Sequence, residues 1–224
     1  MGQRASGLFK SNHRWCDIGS GPGTLLQFTT NFPADLRIIC LDLAFAPLRL
    51  ASLHKSSLPV NGDLETLPFR KSSFDGVVIS SMLQWVADPA AALGNAAKVL
   101  KKNGIVVFSL FTEGSFRELY SLRASRGLSV PAWFPKANEF LVLLKDAGLE
   151  IENPVEEFSL SVYHENGFKA LKSLSAIGGT AVQGPLLKRK ELLKLCRDYD
   201  DQYSSEKGTP VTYCWITGTA KRIA

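Results

Sequence analysis

A glycine-rich loop near the start of the chain constrains its fold and function more than any other feature. The stretch from Asp17 to Gly23 reads Asp-Ile-Gly-Ser-Gly-Pro-Gly and joins a predicted strand, 14–18, to a predicted helix, 24–32. Alternating glycines leave no Cβ between the backbone and a ligand on the turn, and the helix behind them begins with unpaired N–H groups. Asp42 ends the next apolar run, and an acidic side chain about 20 residues beyond such a loop commonly binds ribose hydroxyls. The pattern therefore predicts a site for a nucleoside-type ligand.

The spacing of the glycines separates this loop from a dinucleotide fingerprint. That fingerprint reads G-x-G-x-x-G and cradles a pyrophosphate, whereas the glycines here are Gly19, Gly21 and Gly23. Together with Asp42, the loop resembles that of the class I S-adenosylmethionine (SAM) methyltransferases, in which it wraps the methionine part of the cofactor. The resemblance implies that the three glycines line the cofactor, that Asp42 holds its ribose and that Leu43 contacts it.

Composition limits the class of protein. The 224 residues suffice for one well-cored α/β domain. With 45% hydrophobic and 21% charged residues, no apolar run of membrane-spanning length and no secretory signal, the sequence favours a globular cytoplasmic protein. The cysteines are scattered without C-x-x-C spacing and are expected to be thiols, mostly buried: Cys16, Cys40, Cys196 and Cys214. The three histidines are far apart, so no metal motif is recognised.

Strands and helices alternate along the first half of the chain as in a doubly wound sheet. Predicted strands are 14–18, 36–41, 59–62, 74–80, 105–110, 150–162 and 211–219. Predicted helices are 24–32, 45–56, 89–101, 113–126, 136–147, 164–175 and 185–199. The sequence therefore predicts an α/β fold with a mostly parallel, seven-stranded, Rossmann-like sheet in a single domain, 1–224. Helical lid insertions are expected at about 112–135 and 163–208.

A second stretch that bears on the cofactor runs from Gly62 to Phe69. It resembles the adenine-binding turn of the same methyltransferases, which implies that Asp63 accepts from the adenine amino group and that Leu64 packs against the ring. Taken alone, Asp63 is equally a turn or N-cap carboxylate, which is common for Asp after Gly. Ser80 ends the fourth strand, where the crevice of such a sheet opens, and is expected to face cofactor or substrate. Asp17 is expected to orient the loop backbone.

Later stretches narrow the resemblance to one group of enzymes. They are Ser81 to Trp85, Phe108 to Leu119, Leu171 to Thr180 and Thr209 to Tyr213. In order and approximate spacing they are similar to the malonyl-acyl-carrier-protein O-methyltransferases of biotin synthesis. The resemblance implies methylation of the free carboxylate of a malonyl thioester on acyl carrier protein, so that fatty-acid elongation enzymes accept the chain. Two alternatives stay open: a SAM-dependent methyltransferase for another small acid or quinone-like acceptor, and a SAM-binding module without turnover.

The chemistry that this resemblance implies asks for positioning rather than for acid or base catalysis. A carboxylate is already ionised at neutral pH, so no catalytic acid or base residue is expected. A cation should bind the acceptor carboxylate. The candidate cations, all in the predicted lid segments, are Arg117, Arg123, Arg126 and Lys172. Trp85 and Tyr213 are expected to wall the acceptor pocket.

The net charge of +5 is modestly basic. Two basic clusters stand out: Lys98, Lys101 and Lys102, and then Lys188, Arg189, Lys190 and Lys194. Each cluster alone is best explained as a solvated helix face. Because acyl carrier proteins are strongly acidic, the clusters are also candidates for a docking surface. A nucleic-acid partner is disfavoured because no basic stripe is interleaved with aromatic residues.

The start of the chain departs from the pattern of the similar enzymes. They usually carry a longer leader whose helices fold over the cofactor, whereas sixteen residues precede Asp17. Two interpretations stay open: the chain closes its SAM site in another way, or the true start lies upstream.

Overall fold

The structure is a computed structural model that describes residues 7–27, 32–128, 133–176 and 188–223. The strands are β1 (Trp15–Ile18), β2 (Ile38–Asp42), β3 (Ser57–Asn61), β4 (Phe74–Ser80), β5 (Leu100–Phe111), β6 (Leu149–Ile151), β7 (Glu156–His164) and β8 (Thr209–Arg222). The helices are α1 (Thr24–Gln27), α2 (Phe45–Ala51), α3 (Pro89–Val99), α4 (Arg117–Ala124), α5 (Ala137–Asp146), α6 (Gly167–Ala176) and α7 (Arg189–Tyr203). Parts of the predicted helices 24–32 and 185–199, and residues 177–180 of the stretch Leu171 to Thr180, lie outside the described residues.

The strands form one mostly parallel sheet in the order β3-β2-β1-β4-β5-β8-β6, with β7 paired to β8. Strand β1 pairs in parallel with both β2 and β4, and β6 pairs with β8 in the antiparallel sense. The predicted α/β fold class is confirmed. The chain moves outward from β1 to β3 and returns beside β1 with β4, so the strand order reverses at β1 and β4. In open α/β sheets, ligands bind outside the carboxyl ends of the strands at such a point.

Within the described residues the sheet has eight strands where seven were predicted, because one predicted strand is interrupted. The predicted strand 150–162 is present as β6 and β7, with residues 152–155 between them. Pairing with β8 continues just past β6, where Glu152 N donates to Thr219 O at 3.1 Å. Pro154 then interrupts the ladder, because proline has no N–H to donate.

Helices cover both faces of the central strands. On one face, Val107 of β5 belongs to a buried cluster with Trp15 of β1 and Leu48 of α2. The next residue, Phe108, points to the opposite face because side chains alternate along a strand. There its ring lies 5.2 Å from that of Phe140 on α5. This alternation explains why the apolar run in β5 is continuous.

The chain divides into two compact units. The first comprises Met1–Leu110, Lys136–Glu157 and Ile216–Ala224, and the second comprises Phe111–Pro135 and Phe158–Trp215. Both predicted lid ranges, 112–135 and 163–208, fall within the second unit. Their role as a lid stays a prediction.

Among the described helices, none combines the length and apolar character needed to cross a bilayer. All four cysteines are free thiols. Cys16, Cys40 and Cys196 are buried as expected, and Cys214 is partly exposed. Within the described part of the chain, no three His, Cys, Asp or Glu side chains cluster as a metal site would require.

A glycine in the centre of the sheet makes room for Trp15. Gly76 of β4 lies directly opposite Trp15 of β1, and a Cβ at position 76 would lie 2.3 Å from the indole Cζ3. We expect Gly76→Ala to lower the free energy of unfolding by about 1–3 kcal/mol, because a well-packed core does not accept an added methyl without strain. Urea unfolding measures the change. The matched control is Gly94→Ala in α3, where a Cβ meets nothing within 4 Å, so that alanine should stabilise by about 0.5–1 kcal/mol. Equal effects of the two substitutions would contradict the packing argument.

Candidate functional site

The glycine-rich loop follows β1 and is fastened to the end of β2. Gly19 N and Ser20 N both donate to Leu41 O, at 2.8 and 3.0 Å. Gly23 N then donates to Ser20 O at 3.0 Å, which closes the turn in front of α1. The loop therefore lies at the carboxyl ends of β1 and β2, beside the point where the strand order reverses.

Two of the predicted glycines are required for different reasons. Gly19 has φ +70°, and a Cβ there would lie 2.7 Å from Met82 Cβ, so only glycine fits. Gly21 has φ +53°, but a Cβ there would meet nothing within 4 Å. The backbone at Gly21 therefore faces open space, as a loop that receives a ligand must.

Asp42 ends β2 and holds the loop with both carboxylate oxygens. Its Oδ2 accepts from Gly21 N and its Oδ1 accepts from Ala44 N, each at 2.8 Å. Each carboxylate oxygen can accept a further hydrogen bond, so these contacts leave room for ribose hydroxyls. Leu43, the next residue, is 71% exposed. The sequence predicted a ligand role for Asp42, and the structure adds that the same carboxylate shapes the loop.

Asp17 is a buried carboxyl group of β1 beneath this loop. It is 3% exposed. Burial, and secondarily the charge of Asp42, raise the pKa of Asp17 to about 7. The predicted role of Asp17, to orient the loop backbone, stays a prediction.

The raised pKa of Asp17 predicts a pH dependence of stability. Between about pH 4 and pH 7 the carboxyl ionises in the unfolded chain but keeps its proton in the folded protein. The contribution of Asp17 to the free energy of unfolding is therefore fully present below this range. It is lost as the pH rises through the range, by up to about 1.4 kcal/mol per pH unit. We expect Asp17→Asn to remove this loss. Urea unfolding of both proteins at pH 4.5 to 7.5 measures the difference. Asp35→Asn, at an exposed carboxylate that accepts from Ser11 Oγ, controls for the change in net charge, and parallel pH profiles for wild type and Asp17→Asn would refute the expectation.

The predicted adenine-binding turn lies after β3. Asp63 Oδ1 accepts from Glu65 N at 2.9 Å and so caps the short 3-10 turn Leu64–Thr66. The structure therefore shows the turn-capping interpretation of Asp63, and its contact with adenine stays a prediction. Leu64 is 2% exposed. Its contact with an adenine ring stays a prediction.

Residues that follow β4 add polar groups that sequence reasoning missed. Ser80, partly buried, ends β4, and Trp85, also partly buried, ends the 3-10 turn Leu83–Trp85. Within this turn, Gln84 Nε2 donates to Ser81 O at 2.7 Å, while Gln84 Oε1 is buried with no partner among the described residues. In the glycine-rich loop, Ser20 Oγ is likewise buried without a described partner. A polar ligand at the carboxyl ends of these strands would supply hydrogen bonds to such buried polar atoms. The residues present thus fit a nucleoside-type cofactor.

In the second unit, two stretches singled out in the sequence contact each other. Ser115 Oγ donates to Cys214 O at 2.5 Å and accepts from Cys214 N at 2.9 Å. Phe116 N donates to Thr212 O at 2.6 Å. Gly114 has φ +91°, and a Cβ there would lie 3.2 Å from Cys214 Sγ. The Gly-Ser-Phe stretch therefore attaches the start of α4 to β8.

A buried carboxylate reinforces this attachment. Glu118 of α4 is 5% exposed and accepts from both the backbone N and the hydroxyl of Thr212. Arg117 Nε lies 3.4 Å from Glu118 Oε1, with the Arg117 side chain 63% exposed. Glu118 lies in one of the stretches that resemble the similar enzymes, but the sequence assigned it no role. Its spacing could have indicated that it is buried, because Leu122 lies four residues further on the same helix face and is buried.

The four candidate cations differ in burial and pairing. Arg117 and Lys172 are exposed. Arg126 forms an ion pair with Asp198. Arg123 is 9% exposed, and burial lowers its pKa. Arg123 is therefore the cation that water screens least.

Tyr213 lies within an aromatic cluster of the second unit. Its ring centroid is 5.3 Å from that of Phe116 and 6.1 Å from that of Phe111. Tyr120 and Phe134 complete the cluster around Phe116. Burial raises the pKa of Tyr213, so the phenol is neutral at physiological pH. The predicted substrate-binding residues Arg117, Arg123, Lys172 and Tyr213 lie in the second unit, and Trp85 lies in the first.

The chain is also similar to known methyltransferases. A family model described as "Methyltransferase domain" matches residues 16–108. The malonyl-[acyl-carrier protein] O-methyltransferase of Geobacter sulfurreducens is 30% identical over 93% of this chain and 84% of that protein. The enzyme of the same name from Erwinia billingiae is 32% identical over 80% of this chain and 71% of that protein.

Solved structures show the same fold at low identity. The YcgJ protein of Bacillus subtilis superposes with a TM-score of 0.68 at 18% identity and covers 99% of both chains. A geranyl diphosphate methyltransferase in complex with SAM superposes with a TM-score of 0.56 at 13% identity, over 94% of this chain and 78% of that one.

Proposed function

This chain belongs to the malonyl-[acyl-carrier protein] O-methyltransferase family, and we propose that it methylates the free carboxylate of a malonyl thioester on acyl carrier protein, early in biotin synthesis. It is a methyltransferase, and its cofactor is SAM. The observation that best supports the proposed acceptor is the likeness over 93% of the chain to an enzyme of that name. The second unit adds support, because two stretches singled out for their resemblance in sequence, Phe108 to Leu119 and Thr209 to Tyr213, are hydrogen-bonded to each other through Glu118 and Thr212.

The first unit supplies the cofactor site of the proposal. SAM, when bound, supplies an electrophilic methyl group. The loop at Gly19, Gly21 and Gly23 offers backbone without Cβ atoms, and Asp42 offers carboxylate oxygens that accept from ribose hydroxyls. Asp63 and Leu64 are proposed for the adenine ring, with Leu43 and Ser80 beside them. Asp17 supports the loop from beneath.

Positioning carries the proposed reaction. The acceptor carboxylate is ionised at neutral pH, so its oxygen needs no general base. Holding reactants in the productive geometry can supply about 7–11 kcal/mol of the barrier. The protein's task is therefore to orient the acceptor and to exclude water, and no side chain is proposed to move a proton.

Arg123 is the proposed cation for the acceptor carboxylate. A guanidinium group pairs with a carboxylate through two parallel hydrogen bonds, and the pairing strengthens where water is excluded. Arg123 is the most buried of the four candidates, so its charge is the one that water screens least. Lys172 and Tyr213 remain candidates for contacts with the acceptor.

The carrier protein is proposed to dock through exposed basic side chains of α7. Lys188, Arg189, Lys190 and Lys194 are all exposed at the start of this helix. An acidic carrier would associate faster at low ionic strength through such a surface. A cytoplasmic location for the reaction is part of the proposal.

The test is transfer of label from methyl-labelled SAM to purified malonyl-acyl carrier protein. Label that stays on the carrier and is released by mild base as a methyl ester supports the proposal. Label found instead in a free small acid or quinone of a cell extract supports a different acceptor. Calorimetric binding of SAM with no methyl loss in any assay would show a binding module without turnover.

A further inference from the structure

A cavity lies at the amino ends of the strands, at the opposite end of β1 from the candidate cofactor site. It has a volume of about 530 Å³ and is lined by segments that lead into β1, β2 and β4. Its lining includes Arg14, Arg37 and Ser73, each next to the first residue of one of those strands. The glycine-rich loop begins after Ile18, at the other end of β1. Because a strand rises about 3.3 Å per residue, the two sites are separated by the full length of β1.

The lining of this cavity is strongly basic. Arg14, Arg37 and Arg70 contribute three guanidinium groups, and His13 adds an imidazole. Asp35 is the single acidic residue among the described residues of the lining, and its Oδ1 accepts from Ser11 Oγ at 3.1 Å. Within the described ranges none of the three arginines forms an ion pair, and the Arg37 guanidinium donates to Leu36 O at 3.0 Å. The cavity therefore attracts an anion.

The rest of the lining is apolar and aromatic. Trp15, Leu36 and Phe74 are at most 2% exposed, and the Phe69 and Phe74 rings meet edge to face at 5.0 Å. Trp15 Nε1 is buried with no hydrogen-bond partner among the described residues. An indole N–H can only donate, so this cavity residue lacks an acceptor. An inorganic anion would pair with the guanidinium groups but would make no apolar contact with the rest of the lining.

We propose that this cavity binds a small organic acid, with its carboxylate on the arginine side chains and its aliphatic or aromatic body against the exposed Leu58 and the partly buried Phe69. Arg–carboxylate pairs give directional recognition, and small-molecule sites commonly combine an apolar lining with a few polar groups. The site is independent of the methyl-transfer site, since it lies at the amino ends of the strands. It does not depend on the proposed acceptor.

Isothermal titration of the full chain with octanoate tests this proposal. We expect one octanoate per chain, binding that persists in the presence of saturating SAM, and affinity at least tenfold weaker in the double variant Arg14→Gln/Arg70→Gln. The matched control, Arg49→Gln/Lys145→Gln, also removes two exposed cations, but from α2 and α5 outside the lining. It should bind octanoate as the wild type does.

Two further ligands separate the parts of the proposal. Octanamide has the same body without the charge, and acetate has the charge without the body, so both should bind at least tenfold more weakly than octanoate. Equal binding of acetate would reduce the cavity to a simple anion site and overturn the proposed ligand class. Absence of octanoate binding, or equal loss in the two double variants, would overturn the site itself. Because each measurement is of binding to this cavity, failure here leaves the methyltransferase assay unaffected.

Discussion

Replacing Asp42 by Asn is expected to weaken SAM binding about 100-fold or more. The carboxylate is proposed to accept from two ribose hydroxyls while it holds Gly21 N and Ala44 N. A hydrogen bond to a charged group contributes about 1.5–3 kcal/mol, and about 1.4 kcal/mol corresponds to tenfold in affinity. An amide keeps one acceptor oxygen but turns an NH₂ group toward the other donor. Calorimetric titration with SAM measures the loss.

The control for Asp42 is Asp35→Asn, which removes an equal charge near the opposite end of β2. It should leave SAM affinity unchanged. Far-ultraviolet circular dichroism of both variants checks that the sheet is intact. If Asp42→Asn bound SAM within threefold of the wild type, the ribose role and the proposed cofactor geometry would both be wrong.

Replacing Arg123 by Met is expected to lower kcat/KM for malonyl-acyl carrier protein about 100-fold, with SAM affinity unchanged. Removing one partner of a buried charged pair typically costs about 2–5 kcal/mol. Methionine fills similar space with a flexible apolar chain, so most of the packing around the buried Arg123 should survive. Steady-state kinetics with varied carrier substrate, beside SAM titration, measures the separation.

Two substitutions sharpen the test of Arg123. Arg123→Lys keeps the charge but loses the planar fork, and intermediate activity is expected. Arg117→Gln removes an exposed cation from the same helix and should change kcat/KM by less than threefold. A larger loss for Arg117→Gln than for Arg123→Met would transfer the carboxylate-binding role to Arg117.

The fold was predictable from the sequence because its strongest signals are local. The glycine spacing, the acid at the end of the next strand and the alternation of apolar runs each depend on neighbouring residues. The predicted strand 74–80 matches β4. The interruption between β6 and β7 was missed because a long apolar alternation outweighed a single proline, Pro154.

The contacts that build the second unit were not predictable in the same way. Ser115 and Cys214 are 99 positions apart, and no local pattern pairs a serine with a particular strand residue. Glutamate is a residue type common on helix surfaces, and only the fold places Glu118 against Thr212. The cavity at the amino ends of the strands was missed for the same reason. Its arginines, Arg14, Arg37 and Arg70, belong to three separate loops that meet only in the folded sheet.

The position of β8 in the sheet bears on how the chain matures on the ribosome. This strand follows β5, β6 and β7 in the chain, yet it lies between β5 and β6 in the strand order. Until it emerges, β6 has no neighbour and one edge of β5 stays open, and open strand edges invite wrong pairing. We therefore expect the nascent polypeptide to depend on chaperones until β8 has emerged, with protease resistance of the sheet appearing only after that point.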